Sequence, residues 1–159
     1  MREKILKVLE KNARVDIDEL AVLIGEDPEA VEAEVTAMEK ENIISGYNAM
    51  INWDKIGVER VTAMIEVSVT PQRNMGFDAI ARKIYQYPEV DSVSLISGGF
   101  DLMVTVEGRT LKEVSSFVSE KLSPLDSVIQ TKTNFILKRY KDHGIVMTET
   151  KKDERIPMS

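Results

Sequence analysis

Cysteine is absent from this chain, and histidine and tryptophan occur once each. Disulfide cross-links and thiolate metal ligands are therefore excluded, although the lack of Cys does not by itself identify a compartment. The lone His143 lies beyond the last recognisable strand, so no spacing suggests a metal cluster or a nucleophile paired with a base. No phosphate loop is present. Gly98-Gly99 cannot open a dinucleotide fingerprint, because the chain after it reads as a strand rather than a helix. No apolar run approaches the roughly 18–20 residues that a membrane span needs. Met1 leads into Arg2-Glu3-Lys4 instead of the apolar core of a signal peptide. These absences argue against an enzyme, a cofactor and a membrane, and favour a cytoplasmic protein.

What is present suffices for one or two small domains: 159 residues, of which 43% are apolar. The net charge of −6 is unevenly spread. Residues 1–52 carry 6 basic and 12 acidic side chains, whereas the remainder carries 15 of each. Such asymmetry predicts two units with different surfaces.

Residues 1–51 read as a winged helix-turn-helix. Ile5, Val8 and Leu9 share a face of a helix over Arg2 to Lys11. Asp16 is a plausible N-cap with Glu19 as its capping-box partner, and it opens a second helix with apolar Ile17, Leu20, Ala21, Leu23 and Ile24. Gly25 ends that helix. Asp27-Pro28 starts a third, with a buried stripe of Val31, Val35 and Met38 and a stop at Asn42. Ile43 to Ile51 is expected as a short β-ribbon turning at Ser45-Gly46.

In this motif the third helix enters the major groove. Its outward face would show Glu29, Glu32, Ala33, Thr36, Glu39 and Lys40, with Lys4, Lys7, Lys11 and Arg14 as phosphate contacts. Residues 26–42 nevertheless hold seven carboxylates and one Lys. DNA binding gains from neutralising phosphates, so an acidic helix is repelled at close range. Two readings follow: a DNA-binding unit helped by avidity and its lysines, or a unit turned to protein contacts.

Residues 52–60 read as a linker, and 61–141 as a β-α-β-β-α-β unit of the ferredoxin-like kind. Val61 to Val69 alternates as a strand with Val61, Ala63, Ile65, Val67 and Val69 on one face. After Thr70-Pro71, a helix carries Phe77, Ile80, Ala81 and Ile84 and stops before Pro88. Strands at Val90–Ser97 and Phe100–Gly108 flank Gly98-Gly99, which fits a two-residue primed turn. Thr110-x-x-Glu113 opens a helix through Leu111, Val114, Phe117, Val118 and Leu122, and Ser123-Pro124 ends it. In the last strand, Val128 to Lys138, the residues Ile129, Thr131, Thr133, Phe135 and Leu137 share a side. Two helices cover only one sheet face, so Met64, Ile96, Met103 and Ile136 would help form a self-association surface. Residues 142–159 read as a polar tail that lies over a neighbouring subunit or stays disordered.

From about residue 2 to residue 140 the chain resembles the leucine-responsive/asparagine regulator (Lrp/AsnC) family of transcription factors. The resemblance rests on Met38-Glu39-Lys40-Glu41-Asn42-Ile43-Ile44-Ser45-Gly46-Tyr47, Asn52-Trp53-Asp54-Lys55-Ile56-Gly57, Ser97-Gly98-Gly99-Phe100-Asp101 and Thr131-x-Thr133-x-Phe135-x-Leu137. It implies an α+β architecture in which ferredoxin-like domains form homodimers that assemble into tetramers or octamers. It also implies a small effector, usually an amino acid, in clefts between dimers. The matching positions are Ser97, Gly98, Gly99, Phe100, Asp101, Thr131 and Thr133. Asp101 could pair with an ammonium group, and the residues add Asp126 as a second candidate. The family usually carries Arg or Lys where this chain has Glu34 and Ala37, and Ser or Thr where it has Asp27. An offshoot with the same domain order decarboxylates siroheme-type tetrapyrroles, but this chain has no Cys and its only His lies in the tail. The resemblance implies a regulator whose promoter occupancy follows an effector. The alternative is a ligand sensor or assembly partner with weak or no DNA binding.

Overall fold

The computed structural model describes residues 1–70 and 76–148, which form two compact units, Met1–Ile51 and the chain from Asn52 onward. Pro71 of the expected Thr70-Pro71 break and the tail beyond residue 148 lie outside the described residues.

The first unit holds α1 (Arg2–Lys11), α2 (Ile17–Ile24) and α3 (Pro28–Lys40). Local chemistry sets their ends. The Asp16 carboxylate accepts from the Glu19 amide at 2.8 Å, and that of Asp27 from the Ala30 amide at 3.1 Å. Gly25 and Asn42 stop α2 and α3 with left-handed φ values of 70° and 56°. Ile5, Leu20, Ala21, Val31, Val35 and Met38 form the core. Leu23, expected among the apolar positions of α2, is 60% exposed. It is turned about 100° away from the Ile17–Leu20–Ala21–Ile24 face, beyond the reach of α1 and α3.

The β-ribbon expected over residues 43–51 is absent: this stretch carries no strand. The amides of Ile43 and Ile44 both bond the Met38 carbonyl, at 2.9 and 3.2 Å, so the start of the segment is spent capping α3. A lone two-stranded ribbon has little stability of its own, and Tyr47, Met50 and Ile51 find no apolar cover.

The second unit opens on a single 3₁₀ turn, Trp53–Ile56. Its four-stranded antiparallel sheet has the order β2-β3-β1-β4, built from β1 (Val61–Val69), β2 (Val90–Leu95), β3 (Leu102–Gly108) and β4 (Val128–Phe135). The helices α4 (Asp78–Tyr85) and α5 (Leu111–Phe117) cover one face. The last turn of α5, Val118–Leu122, is π-helical, closed by the Ser123 amide on the Val118 carbonyl at 2.8 Å. Ala63, Ile65, Val67, Leu102, Val104 and Val106 meet Ile80, Ile84, Val114, Phe117, Val118 and Leu122 in one core. Leu111, expected on the buried face of α5, is 57% exposed at the first turn of the helix.

Three further expectations are corrected by register. β2 ends at Leu95 and β3 begins at Leu102; the Ile96 amide bonds the Asp101 carbonyl at 2.8 Å, which leaves a four-residue loop, Ser97–Phe100. Neither Gly98 nor Gly99 has a left-handed φ, so the two-residue primed turn is excluded. In the β1–β4 ladder Ser68 faces Gln130 but Val69 faces Val128, so Ile129 is an extra, bulged residue and leaves the side expected for it with Thr131, Thr133 and Phe135. β4 stops at Phe135, and Leu137 beyond it is 95% exposed.

The tail is also more ordered than expected at its start. β5 (Lys141–Asp142) and β6 (Ile145–Val146) form a hairpin around His143 and Gly144, both with positive φ. That is the geometry of a primed two-residue turn. Asn52 Nδ2 donates to the Met147 carbonyl at 2.7 Å, tying the hairpin's exit to the start of the unit.

Candidate functional site

Two regions hold the residues singled out from the sequence: the outward face of α3 and the end of the sheet where β1 terminates. On α3, Glu29, Glu32, Ala33, Thr36, Glu39 and Lys40 are all exposed, opposite the buried Val31, Val35 and Met38. Lys4, Lys7, Lys11 and Arg14 are not equivalent. Lys7 is engaged by Glu3 at 2.6 Å, whereas Lys4, Lys11 and Arg14 make no ion pair among the described residues. Two carboxylates of the acidic stretch, one on the flank of α3 and one at its C-cap, are held by α1 instead. Arg2 on α1 reaches Glu34 at 2.6 Å and grips both oxygens of Glu41, at 2.7 and 3.0 Å. Its hydrogen bond holds the Glu41 carboxyl below the usual range, against a smaller opposing effect of burial. Glu34 is therefore a partner of α1, not a groove-facing acid standing where a cation belongs. Glu39 accepts from the Tyr47 hydroxyl at 2.8 Å, and Asp27 is spent as the N-cap. Four of the seven carboxylates in residues 26–42 are thus engaged within the unit.

At the sheet end, Asp101 straps the β2–β3 loop to β1. Its amide bonds the Val67 carbonyl at 3.1 Å, and its Oδ2 accepts from the Val69 amide at 2.8 Å. On the other side of β1, the Thr70 amide bonds the Ser127 carbonyl at 2.8 Å, which brings the Asp126 loop beside the same strand end. Asp126 is exposed and forms no ion pair among the described residues. Thr131 stands opposite Val67 and is half-buried, its Oγ1 3.3 Å from the Ser123 hydroxyl. The structure therefore gathers Ser97, Gly98, Gly99, Phe100, Asp101, Asp126 and Thr131 around the end of β1. Thr133 sits further along the ladder, opposite Ile65. Thr131 and Thr133 lie on the helix-covered side of the sheet, at its β4 edge.

The open face of the sheet is mixed in character. Met64, Met103 and Ile136 are there, but Glu66 sits among them, 2.9 Å from Asn134 and 3.8 Å from Lys132. Ser92, Ser94 and Thr105 complete the pattern. The sequence search for apolar residues missed this polar set, which strand alternation could have located.

A capped three-helix head followed by a sheet covered on one side, with a strapped loop at its end, is a two-unit architecture of the helix-turn-helix class. The profile of the Lrp/AsnC ligand-binding domain matches residues 62–146. An uncharacterized HTH-type transcriptional regulator of Bacillus subtilis (strain 168), YugG, is 46% identical over 157 residues, 98% of this chain and 95% of that protein. The proline dehydrogenase transcriptional activator of Rhodobacter capsulatus is 34% identical, covering 80% of this chain and 82% of its own length. A transcriptional regulator from Neisseria meningitidis, solved as its L-Met complex, superposes with a TM-score of 0.70 at 24% identity. That match covers 87% of this chain and 89% of the other. The chain belongs to the Lrp/AsnC family of transcriptional regulators and is not an enzyme. No helix among the described residues is long and apolar enough to cross a membrane.

Proposed function

We propose that this protein is a cytoplasmic, DNA-binding regulator whose occupancy of promoters is set by an amino acid held where β1 ends. The head, residues 1–51, reads DNA through Glu29, Glu32, Ala33, Thr36 and Lys40, with Lys4, Lys11 and Arg14 meeting phosphates. Residues 61–141 hold the effector and pair two copies through the open sheet face, with tetramers or octamers built from those dimers. The observation that carries this reading is the internal engagement of Glu34, Glu39, Glu41 and Asp27. It pairs Glu34 and Glu41 with Arg2 off the outward face, which lessens the repulsion although Glu29, Glu32 and Glu39 keep their charge there. The relatives named as HTH-type transcriptional regulators make the sensor without DNA binding the weaker account.

The glycines support the effector site. A Cβ on Gly99 would meet nothing within 4 Å, and one on Gly98 only Ile96 Cγ2 at 3.5 Å. With no left-handed φ and no crowding, the chain itself has no need of glycine there. Bare backbone at such a loop suits close approach by a group from outside. The exposed Asp126 carboxylate is the freer partner for a ligand ammonium, since one Asp101 oxygen is taken by Val69. The Neisseria relative with L-Met makes methionine the first amino acid to try.

Footprinting on the DNA upstream of the protein's own coding region, with and without 1–10 mM amino acids (roughly the range for weak small ligands), tests the scheme. We expect protection at micromolar protein, an affinity that falls steeply with salt, and a shift with at least one amino acid. Absence of protection at low salt sinks the DNA half. Absence of calorimetric heat with every common amino acid sinks the effector half.

A further inference from the structure

We propose that Arg2 is the positioning residue of the DNA-reading helix, fixing the rotation and tilt of α3 through a three-point grip on its C-terminal half. The inference rests on the reading of α3 as the DNA-contacting element. Arg2 Nε donates to Glu34, while Nη1 and Nη2 donate to the two oxygens of Glu41. Glu34 in α3 and Glu41, its C-cap, are seven residues apart, about two turns of helix. One guanidinium therefore spans the half of α3 that ends in Thr36, Glu39 and Lys40.

The position of the grip matters as much as its strength. Glu34 and Glu41 lie on the flank of α3 beside the buried stripe, away from the outward face. A packed apolar stripe alone tolerates small rotations, because Val and Met contacts are not directional. A planar fork bonded to two carboxylates is directional, and a lysine cannot reproduce it. Side-chain readers need a fixed helix angle, since bidentate contacts to base edges fail with small displacements. Arg2 touches no base in this scheme; it acts through the helix it holds.

The test uses the full-length protein on the DNA fragment it protects. Arg2→Lys keeps the charge and loses the fork. We expect it to weaken DNA binding about tenfold with the slope of log affinity against log salt unchanged. If Arg2 instead contacted phosphate directly, Arg2→Lys would bind normally and Arg2→Ala would lower the slope by about 1. The triple variant R2A/E34Q/E41Q removes two negative charges and one positive, a net change of +1, so it would bind as well as the parent or better if net charge alone mattered. We expect it to stay weak. Amide hydrogen exchange supplies a readout that needs no DNA: Arg2→Lys should speed exchange over residues 34–41 while leaving 28–33 unchanged. Unchanged exchange together with parental affinity overturns the inference. Failure of the parent protein to bind DNA overturns the function reading alone, and the exchange result still decides the grip.

Discussion

Asp101 carries a structural role that its sequence neighbourhood does not announce. The sequence marks it as a ligand for an ammonium group; the fold makes it a strap between the β2–β3 loop and β1, through Val67 and Val69. Those partners are more than thirty residues away, and no local pattern announces them. Asp101→Ala leaves the part-buried Val69 amide without an acceptor and should cost about 1–3 kcal/mol in urea unfolding. Asp101→Asn keeps an acceptor oxygen and should retain most of that stability. If Asp101→Asn also binds effector normally, Asp126 carries the ammonium. Glu34 teaches the same lesson: its charge was plain in the sequence, and its neighbour Arg2 was not.

At the scale of elements, whatever depends on three or four consecutive residues was readable. The caps Asp16, Asp27 and Thr110 sit where the hydroxyl and carboxylate spacing put them, each accepting from the amide three residues on. Whatever depends on a partner strand was not. The bulge at Ile129, the early end of β4 and the four-residue β2–β3 loop are consequences of register between distant strands. The His143-Gly144 hairpin escaped because its strands of two residues each are too short to show alternation and His-Gly is not the Asn-Gly or Asp-Gly pair that marks a primed turn. Helix burial offers a sharp check within α2. Leu20 is 1% exposed and Leu23 60% exposed. Leu20→Ala should destabilise the first unit by about 2–5 kcal/mol, whereas Leu23→Ala should stay within about 0.5 kcal/mol in chemical denaturation.

At the scale of the whole molecule, an ion pair adds to what the apolar core of the second unit already joins. Lys121, in the π turn after α5, donates to Glu89 beside β2 at 2.6 Å and lies over the Tyr87 ring. The hydrogen bond from Lys121 holds the Glu89 carboxyl below its usual range, against burial, and the bond to Glu89 raises Lys121. The signs follow from linkage. A carboxyl with a lowered folded-state pKa contributes stability above its unfolded value, near 4.5, and loses it as pH falls through the folded value. A raised lysine contributes below its unfolded value, near 10.5, and loses it as pH climbs through the folded one. Denaturation followed at Trp53, the only tryptophan and part of this unit, should show a plateau between those limits. Lys121→Met keeps the stem over Tyr87 and should flatten both limbs. Parental pH dependence in that variant would show that the pair contributes nothing to stability.

The sequence by itself determined the two units, the order of the helices and of the four sheet strands, and the helix caps. Helical period, strand alternation and capping chemistry are local, so they survive without a fold. Only the tertiary structure decided which carboxylates of α3 are exposed, what Asp101 holds, and which side of the sheet Ile129 and the threonines occupy. Each of those is a relation between residues far apart in the chain, and distance in sequence carries no information about direction in space.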